Sequence, residues 1–218
     1  MKQGWFEFAL ENNPLRAIVR EQQEVKYLRS ITDVGPLDHA LHIACGNGEA
    51  TRQLLKYFPS TRMSAIDRDE ELITAAREKR EGAMIDFSVQ DASSLTFPDD
   101  SFDAVFDLAD LHNSKEWRSG IAELYRVLKP GGLLIMEELA QESFAFASGR
   151  IFKALTYHDY DAMLSVNELR EHALRVGFEP VVFNERKPLG LFKYYAMIAR
   201  IPSRTTASST CRADLPAQ

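Results

Sequence analysis

Short apolar runs alternate with segments of helical periodicity along most of the chain. The runs that predict strands are residues 40–44, 62–67, 84–90, 102–108 and 133–138. The segments between them that predict helices are residues 49–57, 69–80, with Asp69 as the N-terminal cap, and 115–128. Strands that alternate with helices in this way are typical of a mainly parallel sheet covered on both faces.

The two ends of the chain extend this pattern. Residues 5–31 have helical spacing interrupted near Pro14, residues 140–157 predict a helical insertion, and residues 166–176 predict a helix that ends at Gly177. The apolar runs 179–186 and 191–200 flank a Pro-Leu-Gly turn and predict a β-hairpin. The fold class is therefore α/β, with a seven-stranded, mostly parallel sheet, an antiparallel last strand and helices on both faces.

The domain boundaries follow from these elements. We predict an N-terminal helical lid at 1–34, a main domain at 35–201 with a helical insertion at about 140–165, and a polar, disordered tail at 202–218. A length of 218 residues is typical of one domain.

Composition excludes several classes of protein. The net charge of −6 and the lack of a basic cluster argue against a nucleic-acid partner. Cys45 and Cys211 stand far apart, which does not predict a metal site and is typical of a reducing, cytoplasmic setting. Neither a signal peptide nor a membrane-spanning run is predicted, so we expect no stable membrane association.

A glycine-rich turn followed by a distant acid is the first candidate for chemistry. The first strand runs into Cys45-Gly46-Asn47-Gly48 and then a helix, so the backbone can approach a ligand closely there. Asp67 ends the second strand, and its carboxylate can accept both hydroxyl protons of a ribose. This pairing indicates a nucleoside-binding α/β fold, and it leaves a nicotinamide dinucleotide and S-adenosylmethionine both open.

Three later motifs separate these two cofactors. Gln90-Asp91-Ala92 follows the third strand, residues 95–103 read LTFPDDSFD, and residues 126–132 read RVLKPGG. Asp91 can accept a hydrogen bond from an adenine amino group, and Ala92 leaves room for the ring. With these motifs in this order, residues 35–140 resemble the class I S-adenosylmethionine-dependent methyltransferases. The resemblance is to their small-molecule group, similar to the quinone-biosynthesis enzymes, which have a Rossmann-like sheet.

The resemblance implies a cofactor site and two departures from the family pattern. The residues that it assigns to S-adenosylmethionine are Ala44, Cys45, Gly46 and Gly48 for the methionine part, Asp67 for the ribose, Arg68, Asp91 and Ala92 for the adenine, and Asp107 and Leu108 for the methionine and methyl group. Where the family usually has an acid, this chain has His42, and Ala44 replaces a glycine. A histidine does not neutralise a cofactor ammonium as an acid does.

The transfer step and its acceptor give further candidates. His112 follows the fourth strand and is the predicted general base, because histidine exchanges protons near neutral pH. One of Glu137 and Glu138 is expected to face the pocket, and Glu138, Trp5, Tyr157 and His158 are the predicted substrate residues. Aromatic residues near the N-terminus and at 144–152 favour a small apolar or aromatic substrate.

Two other functions remain open at this point. Because of His42 and Ala44, the chain can be a protein that keeps the cofactor pocket without transferring a methyl group. A nicotinamide-dependent oxidoreductase is disfavoured, because Thr51 stands where its third glycine is expected, and an antiparallel last strand is foreign to that fold. The oligomeric state, the substrate and the atom that is methylated are left open by the sequence.

Overall fold

The computed structural model describes residues 18, 20–79, 84–108, 111, 114–139, 165–187 and 193–203. These residues form one seven-stranded sheet with helices on both faces, which confirms the predicted fold class. The strands are β1 Leu37–Ile43, β2 Ser60–Asp67, β3 Ile85–Val89, β4 Phe102–Leu108, β5 Leu128–Leu139, β6 Glu179–Arg186 and β7 Tyr194–Arg200. The helices are a π-helical turn Glu21–Val25, α1 Lys26–Ile31, α2 Glu49–Tyr57, α3 Glu70–Glu78, α4 Trp117–Val127 and α5 Val166–Val176.

The strand order is β3-β2-β1-β4-β5-β7-β6. Strands β1 to β5 pair in parallel, and β7 pairs antiparallel with both β5 and β6. From β1 the chain proceeds first toward β2 and β3 and then crosses to β4 on the other side. The carboxyl ends of β1 and β4 therefore border the crevice in which open α/β sheets bind ligands.

Two apolar layers hold the helices to the sheet. Val25 and Leu28 of the N-terminal segment and Leu54 of α2 pack on one face, and α3 packs on that face farther along, over β2 and β3. Ile121 of α4 and Leu169 of α5 pack on the opposite face. Because both faces are covered, the central strands are almost continuously apolar.

The Lys129-Pro130-Gly131-Gly132 segment differs from its prediction. It ends α4 as expected, but β5 begins already at Leu128 rather than at Leu133. The pairing with β4 is irregular here, since Leu128 pairs with Phe102 and Leu133 pairs with Ala104. Gly131 donates its N–H to the carbonyl of Ile201, and Gly132 accepts the N–H of Ile201. The segment is a bulge that pairs with Ile201, the residue after β7, and local sequence does not indicate this contact.

Arg126 of the RVLKPGG motif clamps the LTFPDDSFD loop. Its guanidinium donates to the carbonyls of Leu95 (3.0 Å) and Phe97 (2.8 Å) and to the carboxylate of Asp99 (2.8 Å). Glu123 accepts from the same guanidinium and from the N–H of Leu95. The fork of donors on arginine suits this pattern, which a lysine does not reproduce.

Asp103 joins three strands at the amino end of the sheet. One oxygen accepts the N–H groups of Asp38 (3.0 Å) and His39 (2.8 Å), and the other accepts from Lys129 at 2.7 Å. This end lies opposite the crevice between β1 and β4. The LTFPDDSFD and RVLKPGG motifs, which contribute to the resemblance, are therefore explained by contacts within the fold rather than by contact with a ligand.

Candidate active site

The turn after β1 has three residues in the left-handed region. The φ angles are 50° at Ala44, 54° at Gly46 and 76° at Gly48. A Cβ at Gly48 would meet the Phe87 ring at 2.8 Å, so this glycine is required by packing against β3. A Cβ at Gly46 would have nothing within 4 Å, so its backbone faces open space. Gly46 is thus the point at which the turn is accessible to a ligand.

Asp67 connects this turn to the end of β2. One carboxylate oxygen accepts the N–H of Gly46 and the other accepts the N–H of Asp69, both at 2.9 Å. The adjacent N–H of Cys45 donates to the carbonyl of Ile66 at 2.9 Å. Each carboxylate oxygen can accept a second hydrogen bond, so Asp67 has capacity left for two hydroxyl groups. Asp69 caps α3 as predicted, since it accepts from the N–H groups at the start of that helix.

The segment after β3 lies beside Asp67. Gln90 donates its N–H to the carbonyl of Asp67 at 3.0 Å, which brings Asp91 and Ala92 to the same end of the sheet. One oxygen of Asp91 accepts both the N–H (2.8 Å) and the hydroxyl (2.7 Å) of Ser93. These bonds to Ser93 lower the pKa of Asp91, with a smaller contribution from the charge of Arg68. An ionised acceptor is therefore available where the adenine edge is predicted.

The end of β4 completes this group. Asp107 pairs in register with Ile43 of β1 and with Met136 of β5, and it is fully buried. Leu108 points to the other face of the sheet and packs against the apolar layer under the N-terminal helix. The residues predicted to hold the cofactor thus come together at the carboxyl ends of β1, β2, β3 and β4, and their roles as ligands stay predictions.

Residues 41–136 match the family model described as "Methyltransferase domain". This segment is a methyltransferase domain. The match confirms the resemblance to methyltransferases that was inferred from the motifs. S-adenosylmethionine is the cofactor that this resemblance implies.

Curated relatives of the methyltransferase domain act on several kinds of molecule. The chain is 31% identical over 116 residues to a ubiquinone/menaquinone biosynthesis C-methyltransferase of Hydrogenovibrio crunogenus, covering 51% of this chain and 46% of the relative. It is 35% identical over 100 residues to a demethylmenaquinone methyltransferase of Thermus thermophilus, covering 45% and 46%. A 27-O-demethylrifamycin SV methyltransferase of Amycolatopsis mediterranei is 29% identical over 154 residues, covering 66% and 54%. The matches span about half the length of these relatives.

Solved structures share the fold over most of the chain. A Haloferax volcanii methyltransferase solved with the Trm112 activator has a TM-score of 0.72 at 19% identity, covering 88% of this chain and 95% of that one. The N-methyltransferase NodS of Bradyrhizobium japonicum, solved with S-adenosyl-L-homocysteine, has a TM-score of 0.67 at 17% identity, covering 92% and 94%. At this level of identity these structures support the fold alone.

His42 of the methyltransferase domain is buried and bonded to α2. Its Nδ1 lies 2.8 Å from the hydroxyl of Thr51, and the two side chains are 1% and 0% exposed. Burial, together with the charge of Arg20, lowers the pKa of His42 to about 3, so the ring is neutral. The sequence marked Thr51 only as a missing glycine. Its spacing of three residues from Leu54, which places it on the inner side of α2, is the sequence signal that could have indicated a buried partner for β1.

Glu137 and Glu138 at the end of β5 are each 1% exposed and point to opposite faces of the sheet. Glu137 lies on the face of the N-terminal helix and accepts a hydrogen bond of 2.6 Å from Arg186. The Arg186 guanidinium lies 3.6 Å from the centre of the Tyr27 ring. Sequence reasoning missed both Arg186 and Tyr27, because three segments distant in the chain form this contact. Glu138, one of the predicted substrate residues, lies next to Glu137 at the carboxyl end of β5.

Four predicted residues lie outside the described part of the chain, namely His112, Trp5, Tyr157 and His158. Near His112, Leu111 packs in the core, and its carbonyl accepts the N–H of Ser114 at 3.0 Å. In the described ranges, no helix is long and apolar enough to cross a bilayer.

Proposed function

We propose that this chain transfers the methyl group of S-adenosylmethionine to a small apolar or aromatic molecule. The observation that carries the proposal is the hydrogen bond from Gly46 to Asp67, which joins the glycine turn of β1 to the acid that ends β2. The bond places an open backbone position and a carboxylate with spare acceptor capacity side by side. This arrangement suits a ligand that carries both a ribose and an amino-acid part.

The residues of the site fit S-adenosylmethionine. The backbone at Gly46 is accessible to the methionine part, Asp67 can accept from the ribose hydroxyls, and Asp91 can accept from the adenine amino group. When bound, the cofactor supplies a methyl group already activated on a sulfonium sulfur. The protein then has to align the acceptor atom with that methyl group and exclude water. The crevice between β1 and β4 provides the position for this alignment.

The acceptor is proposed to be a ring-containing small molecule. The relatives are named for C-methylation in ubiquinone and menaquinone biosynthesis and for methylation of 27-O-demethylrifamycin SV. Both carbon and oxygen acceptors thus occur among proteins similar to this chain. The aromatic residues near the N-terminus and in the predicted insertion support an apolar binding surface. We include the N-terminal lid at 1–34 and the substrate residues Trp5, Glu138, Tyr157 and His158 in this proposal.

His112 is proposed as the general base for an acceptor that carries a proton. It follows the end of β4, the strand whose carboxyl end borders the crevice. Its nitrogen would accept the proton that a hydroxyl or an acidic carbon loses during the transfer. An acceptor whose nucleophilic atom carries no proton would not need this residue.

Calorimetry with S-adenosylmethionine and S-adenosylhomocysteine tests the cofactor site first. We expect both to bind, with one ligand per chain. Failure of both to bind at millimolar concentration would refute the proposed function.

A transfer assay with S-adenosylmethionine labelled in its methyl group tests the reaction. The acceptors to be compared are a demethylmenaquinol, a ubiquinone precursor and phenols of increasing size. We expect His112→Ala to lower kcat by about 100-fold or more for a hydroxyl or carbon acceptor, with an unchanged affinity for S-adenosylhomocysteine. The control is His172→Ala, which removes a partly exposed histidine on α5. Equal turnover of the two variants would exclude His112 as the base.

A protein that holds the cofactor without transferring its methyl group is the second candidate. His42 and Ala44 favour it, because they change the turn that faces the cofactor. It predicts binding of S-adenosylhomocysteine together with no labelled product from any of these acceptors. The nicotinamide-dependent oxidoreductase is not retained, because β7 lies antiparallel between β5 and β6.

A further inference from the structure

His42 and Thr51 stand at the two ends of the cofactor turn. His42 belongs to β1, Thr51 lies in the first turn of α2, and residues 43–50 lie between them. The 2.8 Å contact of Nδ1 with the Thr51 hydroxyl therefore ties the strand directly to the helix. A neutral imidazole and a hydroxyl each have a donor and an acceptor, so either tautomer satisfies the contact.

The turn between them needs such support. Ala44, Gly46 and Gly48 all have positive φ angles, a conformation that costs Ala44 roughly 1–2 kcal/mol. On the side of β2, the turn is held by the bonds from Cys45 and Gly46 to the end of that strand. On the side of α2, the His42–Thr51 contact is the buried side-chain bond that closes it. The turn is thus fixed from both sides.

The His42–Thr51 contact is neutral, whereas the family pattern implies a negatively charged side chain at position 42. The resemblance places an acid at position 42, and an acid would bring a negative charge toward the cofactor's ammonium group. His42 lies in a fully buried environment beside the positive charge of Arg20, and both effects keep it neutral. The amino-acid part of the cofactor then depends on the geometry of the turn, since position 42 offers no charge.

We propose that His42 and Thr51 are a positioning pair that fixes residues 43–50 for the methionine part of S-adenosylmethionine by a hydrogen bond instead of a charge. The inference rests on the proposed function, and it assigns to Thr51 a role in cofactor binding. The proposed pair acts only on the methionine part of the ligand. The adenosine part is served by Asp67 and Asp91, whose carboxylates accept hydrogen bonds from Gly46, Asp69 and Ser93.

Two ligands separate a local role of the pair from a general effect on the fold. S-adenosylhomocysteine and 5′-methylthioadenosine share the adenosine and the sulfur atom, but the second lacks the amino-acid part. We expect Thr51→Val to raise the Kd of S-adenosylhomocysteine by about five- to tenfold, as is typical of losing one hydrogen bond that orders a site. The Kd of 5′-methylthioadenosine should rise by a clearly smaller factor, because this ligand depends on the turn through the Gly46–Asp67 bond but has no amino-acid part for the turn to hold.

Conservative and matched variants complete the test. Thr51→Ser keeps the hydroxyl and should bind both ligands as the wild type does. Ser64→Ala is the matched control, because buried Ser64 forms a similar, part-buried contact with His39, at 2.9 Å, between β1 and β2. It should leave both affinities unchanged, although it also removes a histidine–hydroxyl bond.

The outcomes are distinguishable from failure of the proposed function. If the wild type binds neither ligand, the proposed function fails. If the wild type binds both, then equal weakening of the two ligands by Thr51→Val, or no weakening, overturns the positioning pair alone. Thr51→Ala is the second variant should Thr51→Val not unfold cooperatively. If neither variant folds, the pair serves folding and its assignment to the methionine part is wrong.

Discussion

Arg186 on the edge strand β6 reaches across β7 to Glu137 on β5, and the two side chains are joined by a hydrogen bond of 2.6 Å. Glu137 pairs with Ala196 of β7, whereas Arg186 pairs with Tyr194, so the bond runs diagonally across β7. The guanidinium also packs on the ring of Tyr27, so the N-terminal helix is attached to the same pair. The contact joins three elements that are separate in sequence.

Removal of Arg186 is expected to destabilise the fold strongly. The side chains of Arg186 and Glu137 are 12% and 2% exposed, so Arg186→Met leaves a carboxyl group buried without its partner. The expected loss is about 3–5 kcal/mol in the free energy of unfolding, measured by chemical denaturation at pH 9, above the pKa of Glu137. A double variant that adds Glu137→Gln should recover part of this loss, because it removes the buried charge.

Arg62→Met is the control for this experiment. Arg62 pairs with Asp86 across β2 and β3 at 3.4 Å, and both side chains are more than half exposed. An exposed pair contributes about 1 kcal/mol or less. Equal losses for the two variants would contradict the importance that we assign to burial of the Arg186 pair.

Glu137 should make the stability depend on pH. Burial, with the charge of Glu24, raises its pKa from 4.5 to about 8, against the attraction of Arg186. Between these values the unfolded chain releases a proton that the folded chain keeps. The contribution of this group is therefore complete below pH 4.5 and is lost as the pH rises toward 8. Relative to Glu137→Gln, the wild type should lose stability from pH 5 to 8, and parallel curves would refute this.

His42 should make the free energy of unfolding decrease at acidic pH. Its pKa is lowered from 6.5 to about 3, so below pH 6.5 the unfolded chain binds a proton that the folded chain excludes. The contribution of His42 is complete above pH 6.5 and is lost as the pH falls toward 3, by at most about 1.4 kcal/mol per pH unit. His42→Gln should show a weaker loss over the same range in denaturation curves measured at pH 4 to 7. An equal loss would mean that His42 titrates normally.

Ala44→Gly is expected to stabilise the protein. Ala44 has a φ of 50°, which a glycine adopts without the steric cost of a Cβ. The expected gain is about 0.5–1 kcal/mol in the free energy of unfolding, after the greater freedom of glycine in the unfolded chain is counted. Ala122→Gly, at an exposed position inside α4, should lose about 1 kcal/mol in the same measurement. The same sign for both variants would contradict strain at Ala44.

Replacing Asp67 should change the affinity for the ligand, whereas replacing Asp69 should change the stability of the fold. Asp67→Ala should weaken S-adenosylhomocysteine binding by about 1.5–3 kcal/mol, measured by calorimetry, because a charged acceptor is lost. Asp69→Ala should cost about 1 kcal/mol of stability by removing the cap of α3, with little change in affinity. If the two variants weaken binding equally, Asp67 does not have the proposed ribose role.

Much of the fold could be predicted from the sequence, because its signals are local. The bounds of α2 were predicted as observed, and the spacing of apolar residues there is set by the helix repeat. Asp69 was predicted as a cap from its position before a periodic segment. The family motifs placed Asp67 and Gly46 at the ends of neighbouring elements, although their hydrogen bond appears only in the structure.

The remaining contacts were decided by the tertiary structure, because they depend on which strands become neighbours. The strand order puts β7 between β5 and β6, and only then can Arg186 reach Glu137 and Tyr27. The Lys129-Pro130-Gly131-Gly132 sequence predicts a turn, yet pairing with Ile201 after β7 makes it part of β5. The sequence by itself determined the elements and the family of the domain. Burial and long-range pairing determined the neutral state of His42 and the partners that hold the site in place.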